Sequence, residues 1–161
     1  MRIIEYLGAP SAGKTTLAAQ LWADFKKDKT VACEFLREWA TELVYAHGTI
    51  PVNQLTMYAD YIQKLENLKK SGVDVVLTDT SHLLFSHYNQ DSEITAALSA
   101  MDKVLYTKFG RPEIIFVCKF DDVVQTHGRL HSDIDEISKI EKDLMKKCNS
   151  YERINVVRRE A

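Results

Sequence analysis

The order of apolar and polar residues divides this chain into alternating strand-like and helix-like blocks. Arg2–Leu7 is a near-continuous apolar run (Ile3, Ile4, Tyr6, Leu7), as expected of a strand covered on both faces. Glu5 interrupts it, which requires either a buried partner or a face open to solvent. Leu17, Ala18, Leu21, Trp22 and Phe25 then recur at helical spacing and predict a helix to about Lys27. Thr30–Phe35 reads as a second strand. Leu36–His47 reads as a helix stopped at Gly48, with Pro51 beyond it. Asn53 is placed to cap a long helix that reaches about Ser71 and ends at Gly72. Its apolar residues Leu55, Tyr58, Tyr61, Ile62, Leu65 and Leu68 form one stripe. Val73–Asp79 is the third strand, and Thr80–Asp91 is a looser stretch. Ser92–Lys108 is helical through Ile94, Ala97, Leu98, Met101 and Leu105, and Glu113–Lys119 is the fourth strand. After a polar segment, Asp121–Ser132, comes a helix from Asp133 to about Asn149, striped with Ile134, Ile137, Ile140, Leu144 and Cys148. Arg153–Val157 closes the series as a short fifth strand.

Strands that alternate with helices imply an α/β fold: a five-stranded parallel sheet with helices on both faces. With 161 residues and 45% apolar content, the chain suits a single domain spanning 1–161. The net charge of −2, with both signs dispersed, provides no global basic field for duplex nucleic acid. Cys33, Cys118 and Cys148 lack metal-ligand spacing and read as reduced thiols. No apolar run approaches the ~20 residues of a membrane span, and the first strand begins too early to leave room for a signal peptide. The expectation is a cytoplasmic, soluble protein with no membrane partner.

The chemistry is concentrated where the first strand meets the first helix. Gly8-Ala9-Pro10-Ser11-Ala12-Gly13-Lys14-Thr15 reads G-x-x-x-x-G-K-[ST], the phosphate-binding loop, in the strand-then-helix context it needs. Gly8 and Gly13 let the backbone curl so that N–H groups, including those of Ser11, Ala12 and Thr16, converge on phosphate oxygens. Lys14 supplies a point charge for the β/γ-phosphates, the Thr15 hydroxyl is a Mg²⁺ ligand, and the helix N-terminus adds partial positive charge. ATP and Mg²⁺ are the implied cofactors.

A site of this kind needs an acid at the carboxyl end of a neighbouring strand, and Asp79 is the candidate. The alternative for Asp79 is a turn residue in Thr-Asp-Thr-Ser. Glu34, near the end of the second strand, is placed to deprotonate or orient an acceptor hydroxyl. Arg37 and Trp39 follow it as candidate acceptor contacts. Equally, Glu34 pairs with Arg37 on the surface while Trp39 is core.

Gly-Ala-Pro-Ser-Ala-Gly-Lys-Thr-Thr, then Glu34-Phe35-Leu36-Arg37-Glu38-Trp39, then Asp79-Thr80, resembles small P-loop kinases of the ribosylnicotinamide kinase and AAA type. That resemblance implies a three-layer P-loop NTPase fold with a small lid at about 120–132. It also implies that Arg37 and Gln63 line the acceptor pocket, Glu34 contacts or deprotonates the acceptor, and Asp79 serves the metal. Arg129 would close over the phosphates from the lid. On helical spacing Gln63 falls outside its helix's apolar stripe, free to face a cleft or bulk water. The spacing from Glu34 to Trp39 is also similar to deoxynucleoside kinases. Viral kinases that phosphorylate the hydroxymethyl group of modified pyrimidines in DNA, such as 5-hydroxymethyluracil, share the motif set.

These readings imply an ATP- and Mg²⁺-dependent kinase that transfers the γ-phosphoryl group to a hydroxyl of a nucleoside-like acceptor. One rival is a DNA kinase, with Lys69-Lys70, Lys146-Lys147 and Arg158-Arg159 available for a basic groove. The other is a nucleotide-dependent switch or assembly ATPase with no phosphoryl acceptor.

Overall fold

The structure is a computed structural model and describes residues 1–48, 53–89, 91–118, 133–149, 151 and 154–157. Its five strands are β1 (Arg2–Leu7), β2 (Cys33–Leu36), β3 (Val75–Thr78), β4 (Glu113–Val117) and β5 (Ile154–Val157). They form one parallel sheet in the order β2-β3-β1-β4-β5. The helices are α1 (Lys14–Lys27), α2 (Trp39–His47), α3 (Gln54–Lys70), α4 (His82–Tyr88), α5 (Ser92–Phe109) and α6 (Ile134–Cys148). Among the described residues no helix is long and apolar enough to cross a membrane.

Because successive strand residues point to opposite faces, the central strand β1 sorts the core into two layers. Ile4 and Tyr6 pack with α1, through Leu17, Leu21, Trp22 and Phe25. On the other face Ile3 meets α3 and α5, and Leu7 meets Ile137, Ile140 and Leu144 of α6. The sheet therefore lies between helices on both faces, the three-layer α/β arrangement of P-loop NTPases.

Three elements depart from the periodicity by more than two residues; one is α2, which begins at Trp39 rather than Leu36 because Leu36 still pairs with β3. β2 begins at Cys33 rather than Thr30 because Asp28 accepts hydrogen bonds from the Thr30 N–H at 2.9 Å and its hydroxyl at 2.6 Å, while Asp74 accepts from the Ala32 N–H at 3.0 Å. Side chains thus hold this stretch in a turn, and pairing starts one residue later and continues to Leu36, opposite Thr78. Within the stretch that looked irregular, His82–Tyr88 forms α4. Its seven residues are too few to reveal a period. It is capped by the Ser81 side chain and anchored by buried His82, Leu84 and Phe85. The expected lid at 120–132, including Arg129, lies outside the described residues.

Candidate active site

The phosphate loop links the carboxyl end of β1 to α1, and two positions explain its glycines. Gly8 passes so close to β4 that a Cβ there would lie 2.4 Å from the Val117 carbonyl oxygen. Gly13 caps α1 at φ 86°, in the left-handed region that favours glycine. Between them Ser11 holds φ 64°, which a non-glycine residue adopts at some cost. Ala9 and Ala12 are buried beneath the loop, and the Ala12 N–H reaches Ala9 O at 3.3 Å. Lys14 is buried too, its Nζ donating to the carbonyl oxygens of Gly8 and Ala9 at 3.0 Å each. Thr16 is exposed on the outer side of the first turn.

Thr15 and Asp79, 64 positions apart, meet at this loop. The Thr15 hydroxyl donates to Asp79 Oδ2 at 2.6 Å, and Asp79 follows directly on β3, the neighbour of β1. Its other oxygen, Oδ1, accepts the Glu38 backbone N–H at 2.6 Å. Asp79 is only 3% exposed. Next to it the buried Thr80 Oγ1 has no hydrogen-bond partner among the described residues. Adjacent hard oxygen donors of this kind fit Mg²⁺, which takes one or two protein ligands and completes its shell with phosphate and water. Among the described residues no cluster of three or more His, Cys, Asp or Glu offers a self-sufficient metal cage.

The other sequence candidates are placed differently. Glu34 pairs in register with Val76, two positions before Leu36 and Thr78. That leaves it roughly 10 Å of strand short of Asp79. It is about half exposed and forms an ion pair with Lys26 of α1 at 2.9 Å, rather than with Arg37. Arg37 is exposed on the β2–α2 junction, one residue before the amide that reaches Asp79. Trp39 opens α2, is partly buried against the core, and has the Lys64 ammonium 5.3 Å from its ring centroid. Gln63 is exposed on α3 and donates to Asn67 one turn further along at 3.2 Å. The structure brings Lys14, Thr15 and Asp79 together, with the Arg37–Trp39 junction alongside. It leaves Glu34 and Gln63 on the periphery.

The AAA domain family model matches residues 4–159, nearly the whole chain. The chain belongs to the AAA domain family. It is also similar in part to Protein RecA of Nautilia profundicola (38% identical over 86 residues) and of Wolinella succinogenes (40% over 87). Those matches cover 49% of this chain and 25% of each relative, so the chain spans a quarter of the curated relatives it matches. As an AAA domain, the protein is a nucleotide-binding P-loop NTPase.

Behind the loop, this AAA domain carries a polar network that sequence reasoning flagged only at Glu5. Glu5 is fully buried in β1. Its Oε1 accepts the Tyr61 hydroxyl at 2.8 Å; its Oε2 accepts the Ser81 hydroxyl at 2.8 Å and the His82 backbone N–H at 3.1 Å, and lies 2.7 Å from His82 Nδ1. His82 Nε2 lies 2.9 Å from the Tyr106 hydroxyl. Burial pulls the His82 pKa down, but the charge and hydrogen bond of Glu5 more than offset this, and the net shift is upward. Burial and the Glu5 carboxylate together hold the Tyr61 hydroxyl firmly protonated. The turn that follows Asp79 is thereby fastened to the central strand.

Proposed function

We propose that this AAA domain is an ATP- and Mg²⁺-dependent kinase that moves the γ-phosphoryl group to a hydroxyl of a nucleoside-like acceptor. The observation that carries the reading is the Thr15–Asp79 contact at 2.6 Å beside buried Lys14, with the Arg37-Glu38-Trp39 junction drawn against the same carboxylate. Thr15 and Asp79 would hold Mg²⁺, which would supply charge stabilisation for the triphosphate. Lys14 and the backbone N–H groups of Gly8 and of Ser11 to Thr16 would hold the triphosphate. Arg37 and Trp39 would meet the acceptor, with Gln63 on the helix behind them. Arg129 would add a cation to the transferring group from the segment before α6. Acceleration in such a reaction comes chiefly from positioning and charge stabilisation, so no covalent intermediate is expected.

The test is ATP consumption against a panel of nucleosides, ribosylnicotinamide, nucleoside monophosphates, and DNA with and without 5-hydroxymethyluracil. Turnover that depends on a nucleoside-type acceptor is the expected result. Turnover on hydroxymethylated DNA alone would move the acceptor into the polymer. Slow hydrolysis indifferent to every acceptor would replace the kinase with a nucleotide-dependent switch.

Glu34 has the smallest part in this reading, because its ion pair with Lys26 sets it on the flank of the sheet. Glu34→Gln is expected to change kcat by less than about three-fold, since exposed ion pairs are worth little. A fall of about ten-fold or more at unchanged ATP affinity would instead make Glu34 the base that serves the acceptor.

A further inference from the structure

The Asp79 carboxylate is divided between two elements. Oδ2 takes the Thr15 hydroxyl of α1 at 2.6 Å, and Oδ1 takes the Glu38 amide at the head of α2, also at 2.6 Å. Glu38 is the N-cap residue of α2, a nine-residue helix, and its side chain makes no capping hydrogen bond. The backbone N–H therefore faces the acid together with the partial positive charge of a helix start. A carboxylate gripped at one oxygen keeps the other aimed without further ordering. An ungripped one has rotamer freedom to lose when a cation arrives.

We infer that the Glu38 peptide N–H is a positioning group for the metal acid: it orients Asp79 so that Oδ2 faces the Thr15 side, and it ties α2 to the metal site. This rests on the assignment of Asp79 as a Mg²⁺-serving residue, but not on the identity of any phosphoryl acceptor. The contribution belongs to the backbone of residue 38, not to its carboxylate.

Proline at position 38 separates the two. The native backbone there, φ −62° and ψ 121°, is one that proline adopts, so Glu38→Pro deletes the N–H without straining its own dihedrals, and its Cδ, standing where the hydrogen was, turns Asp79 Oδ1 away. Glu38→Ala loses the same side chain and keeps the N–H. ATP binding is titrated in both variants at a series of Mg²⁺ concentrations and in chelator. The expected result is a Mg²⁺ midpoint about ten-fold or more higher in E38P than in E38A, the scale of one hydrogen bond to a charged group. ATP affinity in chelator should agree within about two-fold, a split that general loosening of the fold would not produce. Equal Mg²⁺ midpoints in two folded variants overturn the inference.

Amide hydrogen exchange in the unsubstituted protein provides a second readout that holds even where E38P does not fold. The Glu38 amide should exchange slowly, and Asp79→Ala should raise its rate toward that of an open loop. Fast exchange in the unsubstituted protein, or no change in Asp79→Ala, overturns the inference. If no acceptor in the panel supports turnover, the kinase reading fails while both of these measurements stand.

Discussion

Lys14→Ala is expected to abolish acceptor-dependent turnover, with kcat/KM falling at least about 1,000-fold, the scale seen when a preorganised charge donor is removed from a transition state. The side chain is already buried, and its ammonium rests on the Gly8 and Ala9 carbonyl oxygens. Much of the desolvation that a phosphate-binding cation requires has thus been met by folding. Arriving phosphate oxygens would exchange with two carbonyl oxygens, rather than strip water from a free lysine. ATP affinity should fall by about ten- to 100-fold, matching the loss of charge-assisted hydrogen bonds. Melting of the free protein should change little, because Gly8, Gly13 and the buried alanines shape the loop. Unchanged ATP affinity would mean that the nucleotide does not sit in this loop.

Glu5→Ala is expected to cost about 3–5 kcal/mol of stability, the usual effect of removing one partner from a buried charged pair. The loss would strand the Tyr61 hydroxyl, the Ser81 hydroxyl, the His82 N–H and the His82 ring in a site without solvent. Denaturant unfolding measures it directly. Glu5→Gln separates charge from shape through pH. In the native protein the His82 pKa is raised, so its contribution is complete below the unfolded value of about 6.5 and is lost as pH climbs through the folded value. Charged or titratable groups around it are Glu5, Asp102, Tyr106 and Tyr151. Without the Glu5 charge, burial becomes the dominant influence and outweighs the smaller effect of Asp102. The buried ring then prefers to be neutral, and this part of the stability should rise with pH up to the unfolded value of about 6.5 and level off above it. A slope of the same sign in both proteins would refute the charged Glu5–His82 pair.

Most of the fold was legible because its signals are local. The apolar run of β1, the stripes of α3, α5 and α6, and the side-chain cap at Asn53 each sit within a few residues of what they determine. The phosphate loop is legible for the same reason. What escaped depends on contacts across the sequence. The start of β2 is set by Asp28 and Asp74, and α4 is stabilised by burial over too short a length to show a period. Glu34 stands back from the strand end because pairing with β3 runs on to Leu36, one residue past the Phe35 end that the sequence predicts. The link from the Glu38 amide to Asp79 has no sequence signal at all, since every residue except proline carries an N–H. For Glu5 the signal was present, a lone acid in an apolar strand, but its partners lie 56 to 77 positions away.

That lone acid also bears on how the chain finds its pairing. A one-residue slip of β1 between β3 and β4 would turn Glu5 to the opposite face, toward Leu17, Leu21, Trp22 and Phe25. An ionised carboxylate would then be buried in hydrocarbon, while Tyr61, Ser81 and His82 lost their acceptor. The other central residues of β1 are interchangeable apolar groups and discriminate weakly between registers. Glu5 makes the wrong register costly, and so acts as a key that admits one alignment of the central strand and, with it, one height for the phosphate loop above the sheet.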